Sequence, residues 1–166
     1  MRLETDRLLI RSFDMGDVPD YADVIADPEV MRYLGGPQGP QDARAYVADC
    51  VARDRTNGIS RYAVVNRSTG TFIGFCGFKA LVRDDGTNWV DFGWRYKPAF
   101  WRQGLGTEAA RAVLEFGKSD LKLSGIEVQT HEHNAGTLRI IELLGFQWAA
   151  EFETDIGIFH RFVENP

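Results

Sequence analysis

The sequence contains only two cysteines, Cys50 and Cys76, among its 166 residues, and they do not form a Cys-x-x-Cys pair. A disulfide framework and a zinc site built from cysteines are therefore not expected. No apolar run approaches the ~18–20 residues that span a membrane, so no membrane association is predicted. The first residues are charged from Arg2 onward and do not resemble a secretory signal, which leads us to expect a cytoplasmic protein.

Lysine is also scarce. Four lysines stand beside fifteen arginines, and the twenty-four acidic residues exceed both together, giving a net charge of −5. A chain with this balance lacks the positive charge that general nucleic-acid binding needs, so no nucleic-acid partner is expected. Apolar residues make up 44% of the sequence and aromatic residues 12%, which is enough for a folded core. At this length we expect a single domain over residues 1–166.

The succession of apolar patterns predicts a mixed α/β domain with no internal repeats. Strands are indicated by alternation and by β-branched or aromatic residues, and helices by apolar residues at i, i+3, i+4 and i+7. In chain order the predicted elements are a strand at 3–13, helices at 17–26 and around 43–51, strands at 62–65, 71–81 and 89–96, a helix around 109–116, a strand at 126–130, a helix at 138–144 ended by a glycine, and strands at 146–152 and 156–162. The three middle strands, separated by short turns, predict an antiparallel meander.

The segment after the meander carries the clearest chemical signal. Pro98 ends a strand, and Gly104-Leu105-Gly106 opens a helix. Such a turn lets backbone N–H groups converge, and the helix N-terminus adds partial positive charge, so the segment is suited to a phosphate or pyrophosphate. A purely structural tight turn is the alternative. No Gly-Lys-Ser/Thr follows and no third glycine or early β-α-β unit is present, which argues against P-loop and Rossmann nucleotide sites.

Four segments carry a more specific pattern. In order they are Thr5-Asp6-Arg7-Leu8-Leu9-Ile10-Arg11; Ile73-Gly74-Phe75-Cys76-Gly77-Phe78; Asp91-Phe92-Gly93-Trp94 followed by residues 100–109; and Asn134-Ala135-Gly136-Thr137 with Leu144-Gly145-Phe146. Together they resemble the GCN5-related N-acetyltransferase (GNAT) superfamily, in particular its ribosomal-protein-alanine acetyltransferase (RimJ/RimL)-like branch. The resemblance covers nearly the whole chain. It implies a central mixed, mostly antiparallel sheet of about seven strands, flanked by about four helices.

The resemblance implies an N-acetyltransferase that uses acetyl-CoA as acyl donor and needs no metal. The groups expected to hold the pyrophosphate are the backbone N–H groups of Arg102, Gln103, Gly104, Leu105, Gly106 and Thr107. The pantetheine arm is expected to pair with the backbone of Trp94, Arg95 and Tyr96, where the strand splays from its neighbour, and one of these N–H groups would polarise the thioester carbonyl. Asn134 is implied as a ligand of the pantetheine or of nearby backbone, with Thr137 beside it. A plain helix N-cap is the alternative for Asn134.

The attacking amine must lose a proton, so a nearby base is useful. Asp91, which matches the family's acidic position, is the first candidate, and a structural ion pair is the alternative role for it. His131 and His133 are predicted to share one face of a strand, and His133, directly before Asn134, is the second candidate base. The two histidines lack nearby ligands, so zinc is not expected. The tyrosine with which many relatives protonate the leaving thiolate is replaced here by Ile141.

The acceptor is not legible in the sequence: a protein N-terminus and a small-molecule amine both fit the resemblance. The loop at 35–40 and its flanking helices are expected to form the acceptor wall, with Met31, Tyr33 and Leu34 making a partly apolar entrance. The negative net charge mildly favours cationic amines.

Neither cysteine matches a nucleophile position of the family. Both Cys50 and Cys76 are therefore expected to be core thiols, and the amine is expected to attack the thioester directly. A monomer or homodimer is predicted. The alternative function is a non-catalytic acyl-CoA-binding or sensor protein, which release of thiol from acetyl-CoA in the presence of amines would distinguish.

Overall fold

A computed structural model of the protein describes residues 1–164. Within this part of the chain the strands are β1 (Arg2–Glu4), β2 (Leu8–Ser12), β3 (Arg61–Asn66), β4 (Phe72–Val82), β5 (Asn88–Tyr96), β6 (Ile126–His131), β7 (Gln147–Thr154) and β8 (Gly157–Val163). The helices are α1 (Val18–Ala26), α2 (Pro40–Asn57), α3 (Leu105–Ser119) and α4 (Ala135–Leu144). Two short 3-10 turns, Met15–Asp17 and Pro98–Phe100, precede α1 and follow β5.

The strands form one sheet in the order β1-β2-β3-β4-β5-β6-β8-β7. Neighbouring strands are antiparallel except β5 and β6, which are parallel. The described chain has eight strands rather than about seven, because a turn divides the strand predicted at 3–13. In that turn the N–H of Thr5 donates to the carbonyl of Leu8 at 2.9 Å, and the Thr5 hydroxyl accepts from the Leu8 N–H at 3.0 Å.

The helices cover the two faces of the sheet and create a core on each. Because side chains alternate along a strand, Phe78 and Phe92 pack beneath α3 and α4, whereas Phe75 packs with Tyr21 and Val47 beneath α1 and α2. Burial of side chains of this size contributes roughly 1.5–3 kcal/mol each. The predicted apolar faces of the helices around 43–51 and 109–116 are the faces that the structure buries.

Helix α2 is longer than its apolar pattern indicates, since its ends are set by polar and conformational signals. Pro40 occupies the first turn, where its missing N–H costs nothing, and the Asp42 carboxylate accepts from the N–H of Gly39 at 2.9 Å. Gly58, with φ at 74°, ends the helix in the left-handed conformation. Gly145 ends α4 in the same way, as the sequence predicts. No helix within residues 1–164 has both the length and the apolar character of a membrane span.

The parallel strands β5 and β6 part soon after they meet. Their register contains only two pairs, Val90 with Ile126 and Asp91 with Glu127. Beyond this point residues 92–96 of β5 remain paired with β4, while residues 128–131 of β6 remain paired with β8. The sheet is thus intact on both sides of a wedge-shaped gap, and that gap positions the site.

Candidate active site

A cavity of about 320 Å³ opens where β5 and β6 part. Its wall is made by the diverging strands, by one face of α2, and by the segment before the 35–40 loop. The polar and aromatic residues of this wall include Tyr33, Tyr46, Asp49, Arg53, Arg61, Lys79, Asp91, Trp94, Arg95, His131, Asn134 and Thr137. The gap therefore brings together residues from the turn after α1, from α2 and α4, and from the four strands β3 to β6.

The backbone of β5 presents alternate peptides to the gap. The N–H of Lys97 donates to Ile73 on β4 at 2.8 Å, and the N–H of Val90 donates to Gly125, before β6, at 3.1 Å. Peptide groups alternate in direction along a strand, so those of Trp94 and Tyr96 face the gap and that of Arg95 faces β4. The Tyr96 carbonyl accepts from the Trp101 indole N–H at 2.8 Å. Three residues are expected to pair with pantetheine. The Arg95 peptide faces β4, and the Tyr96 carbonyl is already bound to the Trp101 indole. Trp94 is therefore the residue whose N–H and carbonyl both face the gap and are both free of these contacts.

The turn before α3 has the backbone shape expected of an anion site. Arg102 and Gly104 have positive φ values of 59° and 76°, and the turn is exposed. The first helical bond runs from the Glu108 N–H to the Gly104 carbonyl at 3.0 Å. The N–H groups of Leu105, Gly106 and Thr107 precede that bond and have no acceptor among the described residues, as in any exposed first turn. These donors converge at the positive end of the helix dipole.

The two glycines of the motif have different roles. Gly104 has the left-handed backbone that favours glycine, and an added Cβ would meet only Arg7 Nη2, at 3.5 Å. At Gly106 the backbone is ordinary, but an added Cβ would lie 3.0 Å from the Tyr96 ring and 3.1 Å from Ile140 Cδ1. Gly104 therefore shapes the turn, whereas Gly106 lets α3 pack closely against β5 and α4.

A cluster from the turn between β1 and β2 supports this loop. Arg7 donates from Nε to Glu108 Oε2 at 2.7 Å and from Nη1 to the carbonyl of Gln103 at 2.9 Å. Glu108 Oε1 accepts from the Thr5 hydroxyl at 2.5 Å and from the Arg7 N–H at 3.0 Å. Partial burial raises the pKa of Glu108, but the bonds from Thr5 and Arg7 outweigh it and leave the pKa lowered. The motif residues Thr5, Arg7 and Glu108 are thus spatial partners, which their positions in the sequence do not show.

Asn134 and Thr137 lie at the start of α4, beside the gap. Asn134 is the N-cap of α4, and its Oδ1 accepts from the Thr137 N–H at 3.2 Å. Both residues also line the cavity. The cap is therefore a feature of the structure, and it holds the Asn134 amide at the cavity wall, so the two roles considered for this residue are compatible.

Asp91 lies in the cavity wall and forms an ion pair with Arg61. Arg61 Nη2 donates to Asp91 Oδ2, and Nη1 donates to the Asp91 carbonyl at 3.2 Å. The side chains of Arg61 and Asp91 are only 11% and 24% exposed. Two glycines facing each other, Gly77 and Gly93, leave room for this reach across β4, since a Cβ on Gly93 would lie 3.1 Å from Arg61 Nη1. Asp91 thus forms a structural ion pair and also lines the cavity.

The prediction that His131 and His133 share one strand is wrong. Strand β6 ends at His131, and His133 follows in a turn with its side chain 71% exposed. His131, not His133, contributes to the cavity wall, where its ring lies 4.7 Å from that of Tyr33. Nδ1 of His131 accepts from the His133 N–H at 3.1 Å, so a neutral His131 carries its proton on Nε2 and has no spare lone pair.

The remaining expectations concern buried side chains. Ile141 is 1% exposed in the core beneath α3 and α4, so this position does not face the cavity. Cys50 and Cys76 are free and buried, as expected, and burial raises the pKa of Cys50 to about 11 and that of Cys76 to about 12. Neither thiol is ionised at neutral pH. In residues 1–164 no three His, Cys, Asp or Glu side chains are grouped so that they could hold a metal ion.

The acceptor wall differs from the one predicted. Tyr33 and Leu34 line the cavity, but Met31 is fully buried in the core beneath α1 and α2, so its predicted place at the entrance is wrong. The described cavity wall takes nothing from residues 35–40. A helix that flanks the loop does form this side, as expected, through the face of α2 that carries Tyr46, Asp49 and Arg53. Sequence reasoning did not single out these three residues for the wall, because the polar side of a helix is usually exposed to solvent.

Comparison with known proteins identifies the family. Residues 7–147 match the acetyltransferase (GNAT) domain. The chain belongs to this family. The N-acetyltransferase YnaD of Bacillus subtilis, itself uncharacterised, is 27% identical over 150 residues, which cover 89% of this chain and 83% of YnaD. The resemblance inferred from the four sequence segments is thereby confirmed, and the chain is an acyl-CoA-dependent acetyltransferase.

Solved structures show the same GNAT fold. A GNAT-family acetyltransferase from Bacillus anthracis superimposes with a TM-score of 0.83 at 22% identity, covering 99% of this chain and 98% of that one. RimL, a ribosomal L7/L12 α-N-protein acetyltransferase in complex with coenzyme A, gives a TM-score of 0.82 at 11% identity, covering 99% and 97%. The mixed, mostly antiparallel sheet with flanking helices is thus the GNAT architecture, and RimL-type enzymes are among its structural neighbours.

Proposed function

We propose that this GNAT protein transfers the acetyl group of acetyl-CoA to a primary amine, which attacks the thioester directly. The observation that carries the proposal is the gap between β5 and β6, which lies beside the N-terminus of α3. The gap offers the peptide of Trp94 to an extended ligand, and the helix offers the N–H groups of its first turn to an anion. Acetyl-CoA has both an extended arm and a pyrophosphate.

In this proposal the pyrophosphate binds the backbone N–H groups of residues 102–107. The pantetheine lies along β5, with the peptide of Trp94 as its main partner and Asn134 and Thr137 on the opposite side of the gap. The coenzyme A complex of RimL, which shares the fold, supports the presence of such a site. The cluster of Arg7 and Glu108 fixes the turn through the Gln103 carbonyl, so the donors are ordered before the ligand arrives.

The reaction forms a C–N bond at the thioester carbonyl carbon and breaks the C–S bond, and CoA leaves as a thiolate. The Trp94 N–H is the donor that would stabilise the oxyanion, and pairing of β5 with β4 holds it in place. Donors of this kind contribute roughly 3–4 kcal/mol in other acyl transfers. With Ile141 buried, the thiolate takes its proton from water. Because a thiol pKa is near ~8.5, this demand is modest.

We assign Asp91 as the base that accepts a proton from the ammonium group of the acceptor, directly or through one water. Arg61 fixes the carboxylate in the cavity wall, within reach of an acceptor that binds there. His133 is the weaker candidate base, because its exposed side chain lies outside the described cavity wall. The buried, protonated state of Cys50 and Cys76 supports direct attack over a covalent acyl-enzyme. The acceptor is a protein N-terminus or a small amine, and a cytoplasmic monomer or homodimer stays our prediction.

The test is release of CoA thiol from acetyl-CoA in the presence of a library of amines and N-terminal peptides. We expect amine-dependent thiol release and, by mass spectrometry, an acetylated amine in equal amount. Calorimetric titration with CoA is run in parallel. Tight CoA binding without turnover on any amine would instead support the sensor function.

A further inference from the structure

The charge of the cavity wall is opposite to that of the whole molecule. The chain has a net charge of −5. Within residues 1–164 its cavity is nevertheless lined by four cationic side chains, Arg53, Arg61, Lys79 and Arg95, and by two carboxylates, Asp49 and Asp91. At physiological salt the field of distant surface charges is screened over ~8 Å, so a bound acceptor experiences mainly the charges of the wall.

Both carboxylates of the wall are already neutralised. Arg53 Nε lies 2.7 Å from Asp49 Oδ2, and Arg61 is paired with Asp91. Lys79 and Arg95 are left over, and neither has a carboxylate oxygen within 4.0 Å in the part of the chain that the structure describes. The wall therefore carries two uncompensated positive charges when His131 is neutral.

Of these two cations, Arg95 is the better placed to bind an anionic group of the acceptor. It follows Trp94 on β5, and its side chain projects to the face of the sheet covered by α1 and α2, with the guanidinium carbon 5.6 Å from the centre of the Phe75 ring. Its Nη1 donates to the Tyr21 hydroxyl at 3.0 Å. Burial raises the pKa of Tyr21 to about 12, so this partner is a neutral phenol and leaves the charge of Arg95 uncompensated.

A second observation shows that the hydrogen bonding of Arg95 is incomplete. Its Nε is buried and has no partner within residues 1–164. A partly buried guanidinium without a counterion is costly, because desolvation of the charge is not offset. A planar carboxylate is the group whose geometry matches the donor fork of arginine.

We propose that the acceptor is a small amine that also carries a carboxylate, of the amino-acid class, and that Arg95 binds this carboxylate. The proposal rests on the acetyl transfer proposed above. The carboxylate fixes the molecule beside Trp94, so that its amine is close to the thioester and to Asp91. The rings of Tyr33 and Tyr46 provide apolar wall for the rest of the acceptor. The preference is the reverse of the one for cationic amines that the net charge indicates.

The experiment compares matched acceptors that differ in one charge. The twenty amino acids and their carboxamides are assayed by thiol release from acetyl-CoA, beside a polyamine and a neutral N-terminal peptide. For the best amino acid we expect kcat/KM to exceed that of its carboxamide by about 10-fold or more, the scale of a hydrogen-bonded charge. In Arg95→Met this ratio should fall to near one.

Two further variants control for folding and for general charge. Arg95→Lys keeps the charge without the fork, so it should retain a reduced preference for the acid. Lys79→Met removes the other uncompensated cation of the wall and should keep the full ratio. Circular dichroism establishes that each variant is folded, and the KM for acetyl-CoA is measured in each.

The outcomes separate the two proposals. Absence of thiol release with every acceptor contradicts the acetyl transfer itself. Turnover in which carboxamides, the polyamine or the peptide equal or exceed the amino acids overturns the inference and leaves acetyl transfer standing. A ratio that survives in folded Arg95→Met, or that is lost in Lys79→Met alone, overturns the assignment to Arg95.

Discussion

The donor side and the acceptor side of this site are built in different ways. In the proposed site the donor side is almost one continuous piece of chain, from Trp94 at the end of β5 to Thr107 in α3, and most of the groups proposed to bind CoA there are backbone donors. The acceptor side is assembled from Tyr33, the face of α2, β4 and the end of β6, and its working groups are side chains. A site made of backbone needs a local conformation, whereas a site made of side chains needs a tertiary fold.

This difference explains what each side is able to share with relatives. Backbone donors are present whatever the side chains are, provided that glycine and strand pairing keep the conformation. Proteins as distant as 11% identity can therefore share the fold that forms a donor site. The charges of the acceptor wall depend on single residues such as Arg95 and Lys79, and one substitution changes the ligand that suits them.

The largest expected effect is a loss of CoA binding from a substitution that changes the donor side alone. In Gly104→Val a β-branched residue must occupy a backbone with φ at 76°, and its side chain stands beside the converging N–H groups. We expect CoA affinity to fall by at least ~100-fold, the effect of losing several charge-assisted hydrogen bonds. Calorimetric titration with CoA and circular dichroism measure this.

A matched control is available in Gly70→Val. Gly70 has a similar φ of 70° in the turn between β3 and β4, with nothing within 4 Å of an added Cβ. It should show the same backbone strain with normal CoA affinity. Gly106→Val is a poorer test, because its side chain would collide with Tyr96 and Ile140 and destabilise the fold. Undiminished CoA affinity in folded Gly104→Val would remove the loop from the site.

The same comparison shows how far sequence reasoning reaches. The donor loop, the N-cap at Asn134 and the buried faces of α2 and α3 were all predictable, since turns, caps and helical periodicity are local signals. The bond from Arg7 to Glu108 joins residues 101 positions apart, and the pair of Arg61 and Asp91 spans 30. Such contacts depend on strand order, which no local pattern encodes.

The errors have the same cause. Met31 was expected at the entrance because it is apolar and close to the loop, but α1 and α2 enclose it. His133 was expected on a strand because it lies two residues from His131, but the strand has already ended when the chain turns towards α4. In each case the local pattern was ambiguous and tertiary packing decided.

The second effect tests the catalytic link between the two sides. If Asp91 takes the ammonium proton, Asp91→Asn should lower kcat/KM by roughly 10²–10⁴-fold and leave CoA affinity nearly unchanged. The defect should shrink as the pH rises, because more of the amine then arrives deprotonated. A pH–rate profile of both proteins measures it.

The control is Arg61→Gln, which breaks the same ion pair and keeps the carboxylate. A purely structural role for Asp91 predicts that both variants lose thermal stability and activity together, with parallel pH profiles. That result would move the proton-acceptor role to His133. A base role predicts that the pH-dependent defect occurs in Asp91→Asn alone.

The third effect concerns stability. Ile141 occupies the position of the family tyrosine, but its side chain is enclosed by the core, so Ile141→Tyr should overpack that core and cost about 1–3 kcal/mol of unfolding free energy. Leu143→Tyr, on the same helix but 38% exposed, should cost far less. Denaturant unfolding measures both. Unchanged stability with faster turnover in Ile141→Tyr would show that the new hydroxyl reaches the thiolate.

The smallest expected effect tests whether the contacts of Glu108 support CoA binding on the donor side. Glu108→Gln weakens the bonds to Arg7 and Thr5 that hold the loop, without touching any proposed phosphate donor side chain. We expect CoA affinity to fall about 3- to 10-fold, the scale of one ordinary hydrogen bond, because the contacts of Glu108 act on the loop and not on the ligand itself. Glu115→Gln, exposed on the same helix, is the matched control and should bind CoA normally.

The lowered pKa of Glu108 determines how the stability difference between the wild type and Glu108→Gln changes with pH. The pKa of Glu108 is lower in the folded than in the unfolded protein, so its contribution to stability is complete above the unfolded pKa of ~4.3 and is lost as the pH falls through the folded value. The stability gap between the wild type and Glu108→Gln should therefore be constant near neutral pH and close below about pH 4. Thermal unfolding across this range measures the gap. A gap that persists in acid would mean that the carboxylate acts by shape rather than charge, and the loop would then depend on packing around Thr5.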